Sequence, residues 1–326
     1  MEAGRFGQGA NRVPSTTDAE WLTRAQNLSW TRPLIPYPHW RFNADWENLQ
    51  SNIPLRREIW EHFRDQGRFL PVDVPWHYET LLRVVLSNDV SQQLYVAGCL
   101  EPNEMVFVDT FLKPGMKALD IGANEGCYSV LFAAKVGPLG KVWSFEPSPR
   151  EFAILKANST NNPALNISLF PMALGNKNRT VFLRIAEGVH AGQNTLGNFS
   201  YPINELDPVG VSMRRLDDLM LEENPDRVDL IKLDVEGAEA LVLEGAQKTL
   251  EKYRPVVMME VLETALAAMG SSTIRLFNQF RGWGYKVAFF DPGTGKPRLA
   301  NDGAILLSEN ILFFPEEMDV QPWIFG

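Results

Sequence analysis

The sequence predicts a doubly wound α/β fold built on a mostly parallel sheet. Three observations carry this. From about Lys113 onward, short apolar runs alternate with stretches of helical spacing. The first of these runs closes on a glycine-rich turn that opens a helix. Acids then stand at the ends of later runs, at Glu146, Asp234 and Glu260. Strands alternating with helices bury a parallel sheet on both faces and leave the ligand crevice at the carboxyl ends of its strands.

Taken in chain order, residues 1–75 read as an irregular, aromatic-rich segment. Six of the nine tryptophans lie in residues 1–76 (Trp21, Trp30, Trp40, Trp46, Trp60 and Trp76), and the first lysine is Lys113. The stretch Arg32-Pro33-Leu34-Ile35-Pro36-Tyr37-Pro38 suits neither helix nor central strand, because proline fixes φ and offers no N–H. This segment is expected to cap the main domain, with its tryptophans as packing anchors. Residues 76–112 are expected to form a helical lead-in, and residues 113–326 the core domain.

Within the core, Met116–Ile121 is a buried-strand run stopped by Gly122. Glu125–Val136 has helical spacing and breaks at Gly137-Pro138. Lys141–Glu146 is the next strand, closed by Pro147, and a helix follows as far as Asn161-Asn162-Pro163. Ile167–Phe170, Val228–Asp234 and Pro255–Glu260 are further strands. Helices are expected over Ala238–Leu250 and between Thr264 and Phe280, with late strands near Tyr285–Phe290 and Ile311–Phe314. Asp291-Pro292-Gly293-Thr294-Gly295-Lys296-Pro297 lacks the first glycine and the final Ser/Thr of a phosphate loop, so it reads as a turn before a late strand.

Composition narrows the function. The chain has 326 residues, 45% of them apolar and 22% charged, enough for a sizeable core. Lys+Arg is 31 and Asp+Glu is 40, giving a net charge of −9. An acidic chain has no general attraction for nucleic acid or anionic lipid. The two cysteines, Cys99 and Cys127, lack metal or disulfide spacing and read as small buried apolar residues. With no apolar signal core and no membrane-length run, the protein is expected to be cytoplasmic.

The chemistry is concentrated in three motifs. In Asp120-Ile121-Gly122-Ala123-Asn124-Glu125-Gly126, the glycines permit a tight turn, and the following helix start offers free N–H groups. The spacing is G-x-x-x-G, not the G-x-G-x-x-G of dinucleotide enzymes. Glu146 stands 26 residues after Asp120, where a carboxylate can accept hydrogen bonds from both hydroxyls of a ribose. Alone it suits equally a charge at a helix N-terminus; with the first motif it marks a nucleoside site. In Asp234-Val235-Glu236-Gly237, two acids point into the same crevice or cap the next helix, and Glu260 adds another acid to the rim. Such a crevice suits a ligand with positive charge better than a pyrophosphate, which argues against a nicotinamide-dependent reductase on the same sheet.

The blocks Lys113-Pro114-Gly115, Leu119–Gly126, Phe145-Glu146-Pro147-Ser148, Ile231–Glu239 and Arg254-Pro255 leading to Glu260 together resemble the FkbM family of S-adenosylmethionine-dependent methyltransferases. The resemblance runs from about Val74 to Leu262. It implies a seven-stranded Rossmann-like methyltransferase sheet and O-methylation of a hydroxyl on a sugar, a polyketide or another natural product or glycan. It further implies cofactor contacts at Asp120, Gly122, Asn124, Glu125, Gly126, Glu146, Pro147, Ser148 and Asp234. The intact Asp120, Asn124, Glu146 and Asp234 set argues against a non-catalytic assembly module on this fold.

An alcohol acceptor needs a base, and few groups qualify. His190 lies in the polar, Gly-rich stretch Glu187–Gly197 and is one candidate, with Gln193 and Asn194 as acceptor ligands; Asp234 and Glu236 compete with it. His77 could enter from the cap, whereas His39 and His62 carry no assignment. Glu260 is expected on the acceptor side. Asp234, Glu236 and Glu260 are oxygen ligands compatible with Mg²⁺, but the cofactor's own charge accounts for them and no metal is expected. The expected partner is a small-molecule or glycan acceptor, with no nucleic acid and no membrane; a homo-oligomer is left open.

Overall fold

A computed structural model describes residues 16–27, 53–190, 192–199, 202–300 and 310–324. The strands are β1 (Leu70–Pro75), β2 (Leu81–Leu86), β3 (Lys117–Ile121), β4 (Lys141–Phe145), β5 (Ile167–Phe170), β6 (Ala173–Leu174), β7 (Arg179–Ala186), β8 (Glu205–Arg214), β9 (Leu230–Leu233), β10 (Val256–Glu260), β11 (Tyr285–Phe290), β12 (Pro297–Leu299) and β13 (Asn310–Pro315). The central sheet has the order β12-β11-β13-β10-β9-β3-β4-β5. Strands β10, β9, β3, β4 and β5 run parallel, while β13, β11 and β12 join antiparallel. The α/β, mostly parallel fold is as expected. The sheet has eight strands, however, not seven, because the short β12 adds an edge beyond the Asp291–Lys296 turn.

The strands are apolar on both faces because each face is covered, as parallel sheets require. Successive side chains alternate between two cores. Ala118, Val142, Leu230, Val256, Met258, Leu312 and Phe314 face the helices Pro102–Phe111 and Cys127–Val136. Leu119, Ile121, Trp143, Phe145, Ile231, Leu233, Val257, Met259 and Phe313 face the helices Leu216–Glu223, Glu239–Glu244 and Thr273–Gly282. On that second face, Phe280 stacks on Phe313 with ring centroids 3.8 Å apart.

The N-terminal region departs from the irregular segment expected for residues 1–75. Helices span Thr16–Asn27 and Ile53–Asp65, and Ile59, Trp60 and Phe63 join the first core. Residue 75 is no boundary in the structure, since β1 pairs antiparallel with β2. The stretch 76–112 contains β2 and a π-helix, Gln92–Ala97, besides the helix Pro102–Phe111. Trp76 is buried and Trp21 half-buried. The proline-rich stretch 32–38, Trp30, Trp40, Trp46 and His39 lie outside the described residues.

The expected helix Ala238–Leu250 is broken, and the helical signals between Thr264 and Phe280 resolve into two helices. Ala238–Leu250 divides into Glu239–Glu244 and Gln247–Tyr253 at Gly245, where an added β-carbon would lie 2.0 Å from the Gly175 carbonyl oxygen. The second divides into Glu263–Ala268 and Thr273–Gly282, the latter capped by Ser272. A three-stranded sheet, β6-β8-β7, was not expected at all. It carries the segment Glu187–Gly197 between β7 and β8 and brings it over the carboxyl ends of β3 and β9. Asn158, fully buried on the helix Pro149–Asn161, ties these layers together: its side chain bonds the backbone of Arg83 in β2 and the Glu125 carbonyl.

Candidate functional site

The site is built where β3, β4 and β9 end. After β3 the chain turns through Gly122 (φ +80°) and Asn124 (φ +50°). The N–H groups of Gly122 and Ala123 both donate to the Phe145 carbonyl at the end of β4. Glu146, the next residue, accepts from Asn124 N–H (2.8 Å) through Oε2 and from Ser148 N–H (2.7 Å) through Oε1. One carboxylate therefore fixes both loops. After β9, Asp234 N–H donates to the Ile121 carbonyl, and Glu236 turns with φ +51°. Glu239 accepts from the Val235 and Gly237 N–H groups and so holds that turn.

Two cavities meet here. The inner one is lined by Asp120, Gly122, Asn124, Glu125, Glu146 and Pro147, with apolar walls from Phe145, Met172 and Leu183. The outer one, about 490 Å³, is lined by Asp89, Gln93, Glu101, His190, Gln193 and Glu260, among others. Val90, Leu100, Asn124, Gly192, Asp234 and Glu236 line both and mark the passage between them. Thr195 clamps the loop over this passage. Its backbone pairs with Arg184 in β7, and its hydroxyl donates to the Glu236 carbonyl (2.8 Å).

Among the described residues, several buried oxygens on the inner side have no hydrogen-bond partner. Asp120 Oδ1, Glu125 Oε2 and Asn124 Oδ1 are among them, although Asp120 Oδ2 accepts from Ser129 and Glu125 Oε1 from Asn88. Buried acceptors are normally satisfied, so this pocket suits a ligand that brings hydroxyl or amino donors and positive charge. An adenosyl-amino acid with a sulfonium centre fits that requirement.

The electrostatics follow from crowding carboxyls out of water. Burial pushes Glu146 up to about 8, against its bond from Ser148 N–H and with the Glu151 charge adding to it. Burial likewise pushes Glu125 up to about 8, opposed by Asn88, and Glu239 up to about 7, opposed by its backbone bonds. Glu236 is raised by burial and then by the Asp234 charge, and Glu260 by the Asp234 charge and then by burial. Between the unfolded value of 4.5 and the raised folded values, the folded protein holds protons that the unfolded chain has released. That contribution is fully present below the unfolded value and is lost as pH rises through the folded one. The thermal midpoint of the ligand-free protein is therefore expected to fall between about pH 5 and about pH 8.5. Glu125→Gln should flatten the profile; a wild-type midpoint that is level or rising across that window would contradict the assignment.

The predicted residues separate into groups. Asp120, Gly122, Asn124, Glu125, Glu146, Pro147 and Asp234 line the inner cavity. Gly126 and Ser148 line neither cavity: Gly126 packs on Leu155, and Ser148 lends its N–H to Glu146. His190, Gln193 and Glu260 line the outer cavity. Asn194, expected beside Gln193, belongs to the inner one, where its amide donates to Glu151 and accepts from Ala186 N–H. His77 is buried against Trp76 and lines neither, and His62 stacks on Trp21. Cys99 and Cys127 are buried thiols as expected, Cys127 on the inner wall. The carboxylates of Asp234, Glu236 and Glu260 offer oxygens within 4.8 Å of one another. Sequence reasoning missed Lys232, Glu151, Asp89, Gln93 and Glu101. Only Lys232 lay in a recognised motif; the others come from segments whose route to the site depends on tertiary packing.

Among the described residues, no helix is long and apolar enough to cross a membrane. A model of the methyltransferase FkbM domain matches residues 120–287. The chain is 32% identical over 153 residues to the 2-O-methyltransferase NoeI of Sinorhizobium fredii, covering 44% of this chain and 62% of that protein. It is 29% identical over 160 residues to the 31-O-demethyl-FK506 methyltransferase FkbM of Streptomyces tacrolimicus, covering 42% of this chain and 61% of that one. It thus spans less than two thirds of the length of these curated relatives. A crystal structure of methyltransferase FkbM from Methylobacillus flagellatus aligns at 15% identity with a TM-score of 0.38, covering 84% of this chain and 62% of that one. The family match spans more than half of the sequence and includes the turns that build the inner cavity: the chain belongs to the FkbM methyltransferase family, and its cofactor is S-adenosylmethionine.

Proposed function

We propose that the chain is an O-methyltransferase acting on a hydroxyl of a sugar-containing or polyketide natural product or glycan. The observation that carries this reading is the passage between the cavities, where Asp234 and Glu236 border both. The inner cavity has the acceptors for the cofactor, and the outer one has polar side chains for a hydroxylated acceptor. The names of the two curated relatives, both O-methyltransferases, point the same way.

When bound, S-adenosylmethionine supplies an activated methyl on a sulfonium. The residues of the chain then have to align the acceptor and take its proton. Glu146 would hold the ribose hydroxyls, and Asp120, Asn124 and Asp234 would hold the amino-acid part. His190, Gln193 and Glu260 face the acceptor from the outer cavity. Positioning of this kind can supply up to roughly 7–11 kcal/mol of the barrier.

Glu236 is the best-placed base. It borders the passage, and the nearby charge of Asp234 together with burial raises its affinity for a proton. A positioned base typically contributes about 10²–10⁴-fold. Glu236→Gln is expected to lower turnover by about that factor, with cofactor affinity little changed. His190→Ala should also lower turnover while leaving cofactor affinity intact. A collapse with His190→Ala and full activity with Glu236→Gln would transfer the base role to the histidine. The reading as a whole is tested by calorimetric titration with S-adenosylhomocysteine, followed by transfer of labelled methyl to a panel of sugars and glycosylated polyketides. Label appearing on amine or carbon positions, and never on hydroxyls, would refute O-methylation.

A further inference from the structure

Lys232 is the buried cation of the site, and the reaction scheme above leaves it without a task. It sits in β9 with a side chain only 6% exposed, and it lines the inner cavity. Its Nζ lies 2.8 Å from Asp234 Oδ2 and 4.7 Å from the centre of the Tyr128 ring. Tyr128 is itself anchored, its hydroxyl donating to Glu101 Oε2 (2.8 Å), while Glu101 Oε1 accepts from Asn310 on β13 (2.8 Å). Burial works against the lysine's charge, and the carboxylates of Asp234, Glu101 and Asp120 more than offset it, so the ammonium persists. A lysine almost never stays fully buried without such a partner.

Asp234, in contrast, is 28% exposed on its side chain and borders both cavities. A carboxylate in that position has other acids close by, since its oxygen lies within 4.8 Å of those of Glu236 and Glu260. Without a fixed cation, repulsion from those acids would turn it away.

We propose that Lys232 is a positioning residue: it pins Asp234 at the passage between the cavities, so that this carboxylate binds the cofactor while Glu236 is left to take the proton. The inference rests on the cofactor reading of the inner cavity. Breaking one half of a buried ion pair is far more damaging than replacing both halves by neutral groups, and a double-mutant cycle isolates the coupling.

The test measures S-adenosylhomocysteine affinity by calorimetry for wild type, Lys232→Met, Asp234→Asn and the double variant, with thermal unfolding confirming that each is folded. Lys232→Met is expected to bind about tenfold more weakly than wild type, yet to change affinity less than about twofold in the Asp234→Asn background. A lysine that only supported the fold would weaken binding by the same factor in both backgrounds, and that result overturns the proposal. If Lys232→Met alone does not fold, the double variant against Asp234→Asn decides: equal affinity supports the proposal, and a further loss beyond about fivefold refutes it. Absence of binding by the folded wild type would refute the cofactor reading itself, a failure separable from the other two.

Discussion

Gly122→Ala is expected to abolish measurable S-adenosylhomocysteine binding and to remove a large share of the protein's stability. Gly122 has φ +80°, and a β-carbon there would lie 1.7 Å from the Asp234 carbonyl oxygen, a backbone atom that cannot rotate away. The left-handed backbone costs a non-glycine residue about 1–3 kcal/mol. Forcing β3 and β9 apart adds an overpacking cost of about 1–3 kcal/mol. The same displacement moves the Asp234 N–H from the Ile121 carbonyl and pulls Asn124 from Glu146. Gly115→Ala is the control: its φ of +87° is also left-handed, but no atom lies within 4 Å of the added carbon. Urea unfolding should show the smaller conformational loss alone for Gly115→Ala, with binding retained. Equal effects at the two positions would mean that the close approach of the loops does not matter.

Glu146→Ala is expected to weaken S-adenosylhomocysteine binding by at least about tenfold, since hydrogen bonds to a charged group contribute about 1.5–3 kcal/mol. Its carboxyl touches the loops after both β3 and β4 through backbone N–H groups, at Asn124 and Ser148. The substitution therefore removes the proposed ribose ligand and also orphans two N–H groups. Glu146→Gln can still accept one of these bonds and should fall between alanine and wild type. Calorimetry above and below pH 8 separates the two contributions, because the wild-type carboxyl is raised to about 8 and its ionised form is the stronger hydrogen-bond acceptor. Unchanged affinity in Glu146→Ala would eliminate the ribose assignment.

The parallel core was legible because its strands are buried on both faces. The run Val256–Met259 is therefore continuously apolar in the sequence, and Leu230–Leu233 is interrupted only by Lys232. The hairpin of β7 and β8 was not, since half of its residues are exposed and β8 carries Pro208 and Gly210, both of which read as strand breakers. The helix Ile53–Asp65 was missed for a related reason. Its amphipathic face was overshadowed by the surrounding tryptophans and prolines, although Ile59, Trp60 and Phe63 lie on one buried side.

The site was legible where chemistry coincides with strand ends. Asp120, Glu146 and Asp234 are each set by a strand and the turn that follows it, so sequence position determines them. Asn194 illustrates the limit. Its neighbour Gln193 reaches the outer cavity, but Asn194 is drawn inward by Glu151 and by the edge of β7, neither of which has a sequence signal. Asp89 and Gln93 reach the same cavity only because Trp60 bonds Ser91 and Arg56 bonds the Tyr95 carbonyl, docking one N-terminal helix on the π-helix.

The clamp made by Thr195 bears on how acceptor choice can change in this family. A binding loop joined to its scaffold only at the ends can be exchanged as a cassette. Here the loop is also fastened in the middle, to Arg184 on one side and to the carbonyl of Glu236 on the other. Glu236 has left-handed backbone geometry, so the fastening also restrains the proposed base at its strained position. A chimaera that imports residues 187–199 without a hydroxyl at position 195 would change the lining of the outer cavity and slacken the turn at Glu236 at once. Cassettes that keep the hydroxyl leave that turn intact, and diversification of the acceptor should be concentrated on the loop residues on either side of Thr195.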